Sequence, residues 1–479
     1  MCLSESLRVT TLGALATVLC VSSCGAVSDL RDRGPLTATV HDEAGVPVLT
    51  LSHSLNRIAE RGGEVATLQP DLELGGAESD LLHVTDVAAF PDGRFVVLDK
   101  LSVAVRLYAP DGTLLRILGR KGSGPLEFQD PRGIAVMGKH MVLWDDVGSK
   151  VFTVFDTAGT VMATTATPIA GDWMAMFLRG VRHQYDPPGN QPTEDLTRRI
   201  AGMGLDYFLF QIQPDEMLAV AKGEPFPLRA PPVYLVRFDL SASVVDTVAE
   251  FVGPPLVLRS DIPKTRGIYP HYNQPIFSPR PIWAASDNWL AVGNGDANAI
   301  DVRDLSGATI LRVEWPRDER GISEADRLQY ADLRLQEEVE KAGDSSAKAQ
   351  LNEFGARRKA RKTIAFDLWP FSEVRPQITA AFATGSCLWL SGFHPADAPN
   401  GEALTWIGIN VKKQRLETVF RIPRNAATVR DISYNGVYVR YLDENGVTRM
   451  ERYPLPEVDC RLELTRFRGH AILWEKGVH

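Results

Sequence analysis

The sequence predicts an all-β protein, a six-bladed β-propeller with a helical hairpin insertion between blades 4 and 5. Three observations lead there. β-rich runs of about seven residues come in groups of four, turn signals built from Pro, Asp, Asn and Gly separate them, and the group recurs roughly every 40 to 50 residues. The chain has 479 residues, enough for six such groups.

Residues 84–120 set the pattern. VTDVAAF leads into Pro91-Asp92-Gly93. RFVVLDK follows, then AVRLYAP, Asp111-Gly112 and LLRILGR. Asp-Gly between two β-branched runs is a strong hairpin signal, and these residue types suit pleated, half-buried strands. The order returns in residues 134–167 (GIAVM, MVLWDD, KVFTVFD, TVMATTA) and in 206–251 (DYFLFQI, MLAVAK, VYLVRFD, VVDTVAEF). It returns again in 277–315, 377–422 and 428–455. The last group shows three clear runs. An open edge invites aggregation, so a fourth strand is expected from Glu64 to Leu68, with the tail around Leu462 to Thr465 as the rival closure.

The long departures from the repeat are 168–205, 252–276 and 316–376 between blades, and 223–232 and 393–403 between second and third strands. In a propeller these connections share one face, and insertions gathered on one face mark a binding face. The largest is helical. Ser323-Glu324-Ala325-Asp326 is a capping box, and Leu328, Leu335, Val339 and Ala342 form an apolar stripe. A second helix is expected from Ala347 to about Arg361. The pair either packs on the ring or meets a partner.

Ahead of the ring, residues 1–23 read as a lipoprotein signal peptide. Arg8 supplies a positive start, Val9 to Val21 is apolar but too short to span a bilayer, and Val21-Ser22-Ser23-Cys24 resembles the bacterial lipobox. Cys24 would then be acylated, placing the chain in the cell envelope. The alternative is cleavage at another small site, leaving the chain without lipid. Gly25, rather than Asp, follows the cysteine, which by the family rule implies the outer membrane. Residues 24–60 read as tether and lead-in, 61–456 as propeller, and 457–479 as tail.

The formal net charge is −8, which gives no footprint for nucleic acid. Cys387 and Cys460 are the two cysteines in the body, and in an oxidising compartment they can pair. No CxxC, HExxH or paired-carboxylate motif assigns a metal, a cofactor or a catalytic residue. Gly119 to Gly124 looks like a phosphate cradle but lacks Gly-Lys-Ser/Thr. Asn294, Asp296 and Asn298 alternate as in a calcium loop but lack its Gly and terminal acid. His183, His271 and His394 fall in connections on one face without metal-ligand spacing. Arg357 to Lys362 is a basic run beside an acidic helix. The candidate ligand-binding set is Trp173, Arg182, Tyr185, Arg266, Tyr269, His271, Tyr272 and Trp369, with Lys264 and Phe371. Aromatics and cations over a concave face suit a sugar, a peptide or an anion; the same residues can instead plug the channel mouth.

The first two groups resemble NHL-repeat propellers. The strand-ending acids are Asp99 and Asp145, and the third-strand aromatics are Tyr108 and Phe155. Gly119, Gly122, Gly124, Phe128, Pro131 and Gly133 fit the glycine-rich link. The later groups lose most of this punctuation. The whole resembles bacterial six-bladed propeller lipoproteins without a known activity, so the resemblance implies a fold and no chemistry. The expectation is a non-catalytic propeller lipoprotein that binds an envelope protein or small ligand through the insertion-bearing face. The alternative, borrowed from six-bladed relatives, is a metal-dependent lactonase or lyase-like hydrolase using the central channel.

Overall fold

A computed structural model of the chain describes residues 35–60, 65–75, 81, 83–145, 151–166, 200–203, 206–212, 232–253, 257–258, 272–273, 277–328, 372–393, 404–423, 428–443 and 448–460. Within them, six antiparallel sheets form a ring. Blade one is Val84–Ala89, Phe95–Asp99, Ala104–Tyr108 and Leu114–Leu118; blade two is Pro131–Met137, His140–Asp145, Val151–Asp156 and Val161–Ala166. Blade three is Ile200–Met203, Tyr207–Ile212, Pro232–Asp239 and Val244–Val252. Blade four is Pro281–Ala285, Trp289–Asn294, Ala299–Asp304 and Thr309–Glu314. Blade five is Ala380–Thr384, Cys387–Ser391, Leu404–Asn410 and Arg415–Ile422. Blade six holds Thr428–Ser433, Gly436–Leu442 and Thr448–Tyr453, with Leu72–Leu74 as its outer strand. Each first strand touches the first strand of the next blade, and that of blade six touches that of blade one.

Each blade packs against a neighbour on both faces, and the period of two divides the inner strands' side chains between two cores, while outer strands such as Leu114–Leu118 are mostly exposed. In the second strand of blade one, Val96 and Leu98 pack toward blade two, while Phe95 and Val97 pack toward blade six. A buried cluster fills each of the six blade boundaries. This is why the runs read as nearly continuous apolar segments. Burying one such Phe or Leu is worth about 1.5–3 kcal/mol, so the ring is held by many boundary side chains.

The N-terminal segment follows the outside of the ring. Ala38–Glu43 and Val46–Leu51 form a hairpin, and the second arm lies parallel to the outer strand of blade four, with Leu49 beside Val313. A helix, Leu55–Glu60, sends Leu55 and Ile58 into the core between blades four and five. Ala66–Thr67 then pairs parallel to the outer strand of blade five. Leu72–Leu74 closes blade six, with Leu74 opposite Met450 and Leu72 opposite Arg452. Closure therefore comes from the N-terminal side, a few residues later than expected. The stretch expected to close blade six instead edges blade five, because the segment visits three blades in turn. The rival tail strand, 462–465, lies outside the described residues.

Blade three also differs from its expected reading. DYFLFQI supplies its second strand, and the first is Ile200–Met203, inside the stretch 168–205 that the repeat spacing assigns to a blade link. The connection to its third strand is accordingly 213–231, and the MLAVAK run lies outside the described residues. The helix starting at 324 is described to Leu328, and the rest of the expected hairpin lies outside. No helix among the described residues is long and apolar enough to cross a membrane.

Candidate functional site

The two ends of the ring differ. First-to-second and third-to-fourth connections are tight turns at one end, none longer than 90–94 and 109–113. Carboxylates close several of them. Asp239 Oδ1 accepts the amides of Ser241 and Ser243 at 2.9 and 3.0 Å, and Asp304 Oδ1 those of Ser306 and Ala308 at 2.9 and 3.0 Å. The Ser241 and Ser306 hydroxyls and these amides hold both carboxyls below the usual range. The connections 167–199, 213–231, 253–280, 315–379 and 392–403 all leave from the other end. Loops there can vary without disturbing the ladder, and binding residues favour such places.

The roots of the largest insertion are pinned. Gly321 bridges Val374, and Ile322 N donates to Glu373 O at 3.3 Å. The Ser323 amide and hydroxyl donate to Asp326 Oδ2 at 2.7 and 2.8 Å, and Asp326 N donates to Ser323 Oγ at 3.2 Å. Arg375 Nη2 donates to the same carboxylate at 3.0 Å, and its guanidinium lies 5.6 Å from the Phe393 ring centre. Phe277 meets Phe393 edge-on at 5.0 Å. Below them, buried Gln377 accepts from Asp318 N at 2.6 Å and donates to Asp318 O at 2.9 Å. Asn56, on the N-terminal helix, donates to Pro376 O at 3.0 Å and accepts from Phe393 N at 2.6 Å. Burial pushes the Asp318 carboxyl up, but hydrogen bonds from Arg320 outweigh it and keep the group below its ordinary range. Each buried member left unpaired would cost about 1–3 kcal/mol, so this network fixes where residues 329–371 leave and rejoin the ring.

The glycine-rich link is filled by its own side chain. Glu127 Oε2 accepts the amides of Ser123 and Gly124 at 3.0 and 2.9 Å, and Oε1 accepts Arg120 Nε at 2.7 Å. A Cβ on Gly122 would stand 2.2 Å from that carboxylate, and one on Gly119 2.2 Å from the Phe128 ring. The glycines make room for Glu127 and Phe128, and the would-be phosphate donors already hold a carboxylate.

The strand-ending acids serve the backbone too. Asp145 accepts the amides of Gln129 and Asp130 at 2.7 and 2.8 Å, and Asp99 Oδ1 accepts that of His83 at 2.9 Å. Each fixes the approach of its own blade's first strand. A feature the sequence did not signal lies beside them. The first strands of blades six, one and two each carry a β-bulge at the end where the long connections leave. Pairing skips Arg430, Thr85 and Arg132 there. Their neighbours Val429 and Ile432, Val84 and Val87, and Ile134 pack in the blade cores. Bulges re-aim side chains. Thr85 is buried and its hydroxyl has no hydrogen-bond partner among the described residues. Asp86 accepts from Ile134 N at 3.0 Å and Asp431 from Ala89 N at 2.9 Å, so the following acids lace neighbouring blades together.

Of the sequence-predicted residues, Cys24, Trp173, Arg182, Tyr185, Lys264, Arg266, Tyr269, His271, Trp369 and Phe371 lie outside the described residues, as do His183, His394 and 357–362. Tyr272 is described as backbone, in a short strand with Asn273 opposite Val257–Leu258. Cys387 and Cys460 are joined as a disulfide. Asn294 and Asn298 serve a polar turn, with Asn294 Oδ1 accepting from Gly295 N at 2.8 Å and Asn298 Nδ2 donating to Trp315 O at 3.2 Å. Among the described residues no three His, Cys, Asp or Glu side chains gather as metal ligands would.

No family model and no curated protein matches the chain. Among solved structures, a DUF4221-family member from Bacteroides vulgatus is similar at 9% identity and a TM-score of 0.41, covering 81% of this chain and 97% of its own. A structural genomics protein of unknown function from Bacteroides thetaiotaomicron has 9% identity and a TM-score of 0.33, with coverages of 88% and 76%. The β-propeller domain of Cps50 (Swd1) from Myceliophteria thermophila has 9% identity and a TM-score of 0.33, with coverages of 81% and 100%. The assignment as a six-bladed propeller rests on this chain's own strand order and register.

Proposed function

We propose that this chain is a non-catalytic binding propeller of the bacterial cell envelope, of NHL-repeat type, held by lipid on Cys24. It engages an envelope protein or small ligand through the end of the ring that carries the long connections. One observation carries the binding reading: every long connection leaves from that end, and the stem of the largest is fixed by the Asp318–Gln377–Asn56 network. A rigid ring presenting variable loops on a pinned stem is built for recognition. The lipobox supports the location.

The test replaces residues 329–371 with a short Gly-Ser bridge between Leu328 and Ser372 in the full chain. Gly321 and Val374 already close the stem, so the ring is expected to keep its melting temperature. In-cell crosslinking should then lose the specific envelope products seen with the intact chain. Unchanged products would refute binding through this insertion. Stoichiometric calcium or zinc in the purified protein would favour the channel hydrolase instead.

A further inference from the structure

Only half of the ring's outer wall is covered. The outer strands of blades four and five each carry a parallel strand of the N-terminal segment, Val46–Leu51 and Ala66–Thr67, and Leu72–Leu74 completes blade six. Leu114–Leu118, Val161–Ala166 and Val244–Val252 belong to blades one, two and three, and among the described residues they are the edges of their sheets. A sheet edge offers its backbone groups to another strand. On blade one the side chains invite one too: Leu114, Leu115 and Ile117 are 41%, 51% and 50% exposed. On blade three Val244 and Val245 are exposed as well.

These two edges match in shape and oppose in charge. The turns before them close alike. Gly112 N donates to Ala109 O at 3.0 Å and Ala109 N to Thr113 O at 2.9 Å, while Ala242 N donates to Asp239 O at 2.9 Å and Asp239 N to Ser243 O at 3.1 Å. Leu114 and Val244 therefore begin at the same level of the wall, opposite Tyr108 and Phe238. From there blade one reads Leu-Leu-Arg-Ile-Leu-Gly-Arg and blade three Val-Val-Asp-Thr-Val-Ala-Glu. Arg116 and Arg120 hold the third and seventh places on one edge, Asp246 and Glu250 the same places on the other, and all four are exposed. Glu127 pairs with Arg120 and Arg237 with Asp246. Arg116 and Lys121 still leave blade one's edge basic, and Glu250 leaves blade three's acidic.

We infer that a second copy of this chain covers the open edge, blade one of one copy pairing with blade three of the next. Both strands run from the tight turns toward the long connections. Two copies side by side with the same end up therefore bring the edges together in parallel, the sense in which Val46–Leu51 and Ala66–Thr67 already dock. Level alignment sets leucines against valines, Arg116 beside Asp246 and Arg120 beside Glu250. Opposite charges on adjacent strands favour pairing and like charges oppose it, so blade one does not pair with itself. The contact is heterologous, and each copy keeps a second edge for another neighbour.

The test uses two variants of the full chain, Leu115→Cys and Val245→Cys, with the parent as control for its own thiols. After mixing and mild oxidation, the two together should give several-fold more disulfide-linked dimer than either alone, with mass spectrometry locating the bond between positions 115 and 245. Adding Arg116→Asp to the first variant should lower that yield several-fold, and adding Asp246→Arg to the second should restore it. A mixture that yields no more dimer than the single variants overturns the pairing. Dimer formed mainly through position 115 on both chains overturns the heterologous contact, and a charge swap that restores nothing overturns the register.

Discussion

Cys460 is bonded to Cys387 across the boundary between the C-terminal segment and blade five. Ser386 N donates to Cys460 O at 3.0 Å, and Asn410 Nδ2 donates to Asp459 O at 2.7 Å, so the chain leaving blade six is pressed onto the tight-turn end of blade five. The last two blades are thus fastened twice: by Leu72–Leu74 on the outside of blade six, and by this bond at the tight-turn end of blade five.

Reduction should loosen that second fastening. The cysteines lie 73 residues apart, and closing a loop of that size restricts the unfolded chain by on the order of 4 kcal/mol. Urea unfolding of a Cys387→Ser, Cys460→Ser variant should show a lower midpoint than the parent, with reductant shifting the parent toward the variant. An unchanged midpoint after both thiols are shown to be free would remove the stabilising role.

Close approach of neighbouring blades makes a second prediction. A Cβ built on Gly202 would stand 1.9 Å from the Val136 carbonyl oxygen, so the first strands of blades two and three touch backbone to backbone there. Gly202→Ala must push the blades apart and should cost about 3 kcal/mol or more. Gly307 is a matched contrast: its φ is +89° and no atom of the described residues lies within 4 Å of the built Cβ. Gly307→Ala should cost only the left-handed penalty, about 1–2 kcal/mol. Equal melting temperatures for the two variants would contradict this contact.

Glu127 predicts a local pH response. The Gly124 amide first, and Arg120 next, hold its carboxyl below the ordinary range, because both favour the charged form. A lowered folded pKa means the stabilisation is present above the usual carboxylate value and disappears as pH falls through the lowered one. Hydrogen exchange at Ser123 and Gly124 should therefore rise, relative to intrinsic rates, as the solution is acidified below the usual Glu range. In Glu127→Gln that acid-dependent rise should vanish. A rise that persists in the variant would assign it to another group.

How much of this was legible in the sequence depends on local signals. Blades one and two were readable because their glycines and acids each do a local job: Gly122 clears space for Glu127, and Asp145 fastens the amides of residues 129 and 130. Blade three was displaced by one strand because Ile200–Met203 is short and half made of Ala and Gly, a run too brief and too small to read as a strand. The hairpin Ala38–Leu51 carries a turn signal, Ala44-Gly45, with φ of 52° and 85°. Its parallel docking on blade four, some 260 residues away, leaves no local trace. The bulges at Thr85, Arg132 and Arg430 were silent for a related reason, since a bulge is a property of pairing between strands.

Tyr438 carries the last prediction. It is fully buried between blades six and one, its ring 5.2 Å from that of Phe95. Burial first, and the nearby Asp431 charge second, push its hydroxyl up from 10.0 to about 12. For an acid whose folded pKa is raised, the neutral form belongs to the fold. Its stabilisation is intact below pH 10 and is lost as pH climbs to about 12, because the unfolded phenol ionises first. Two units correspond to roughly 2–3 kcal/mol, about half of it gone by pH 11. Unfolding free energy measured by urea at pH 9 and pH 11 should therefore fall more for the parent than for Tyr438→Phe. The seam between blades six and one would then be among the first boundaries weakened by alkali. If both proteins lose the same stability across that interval, the alkaline weakness lies elsewhere in the ring.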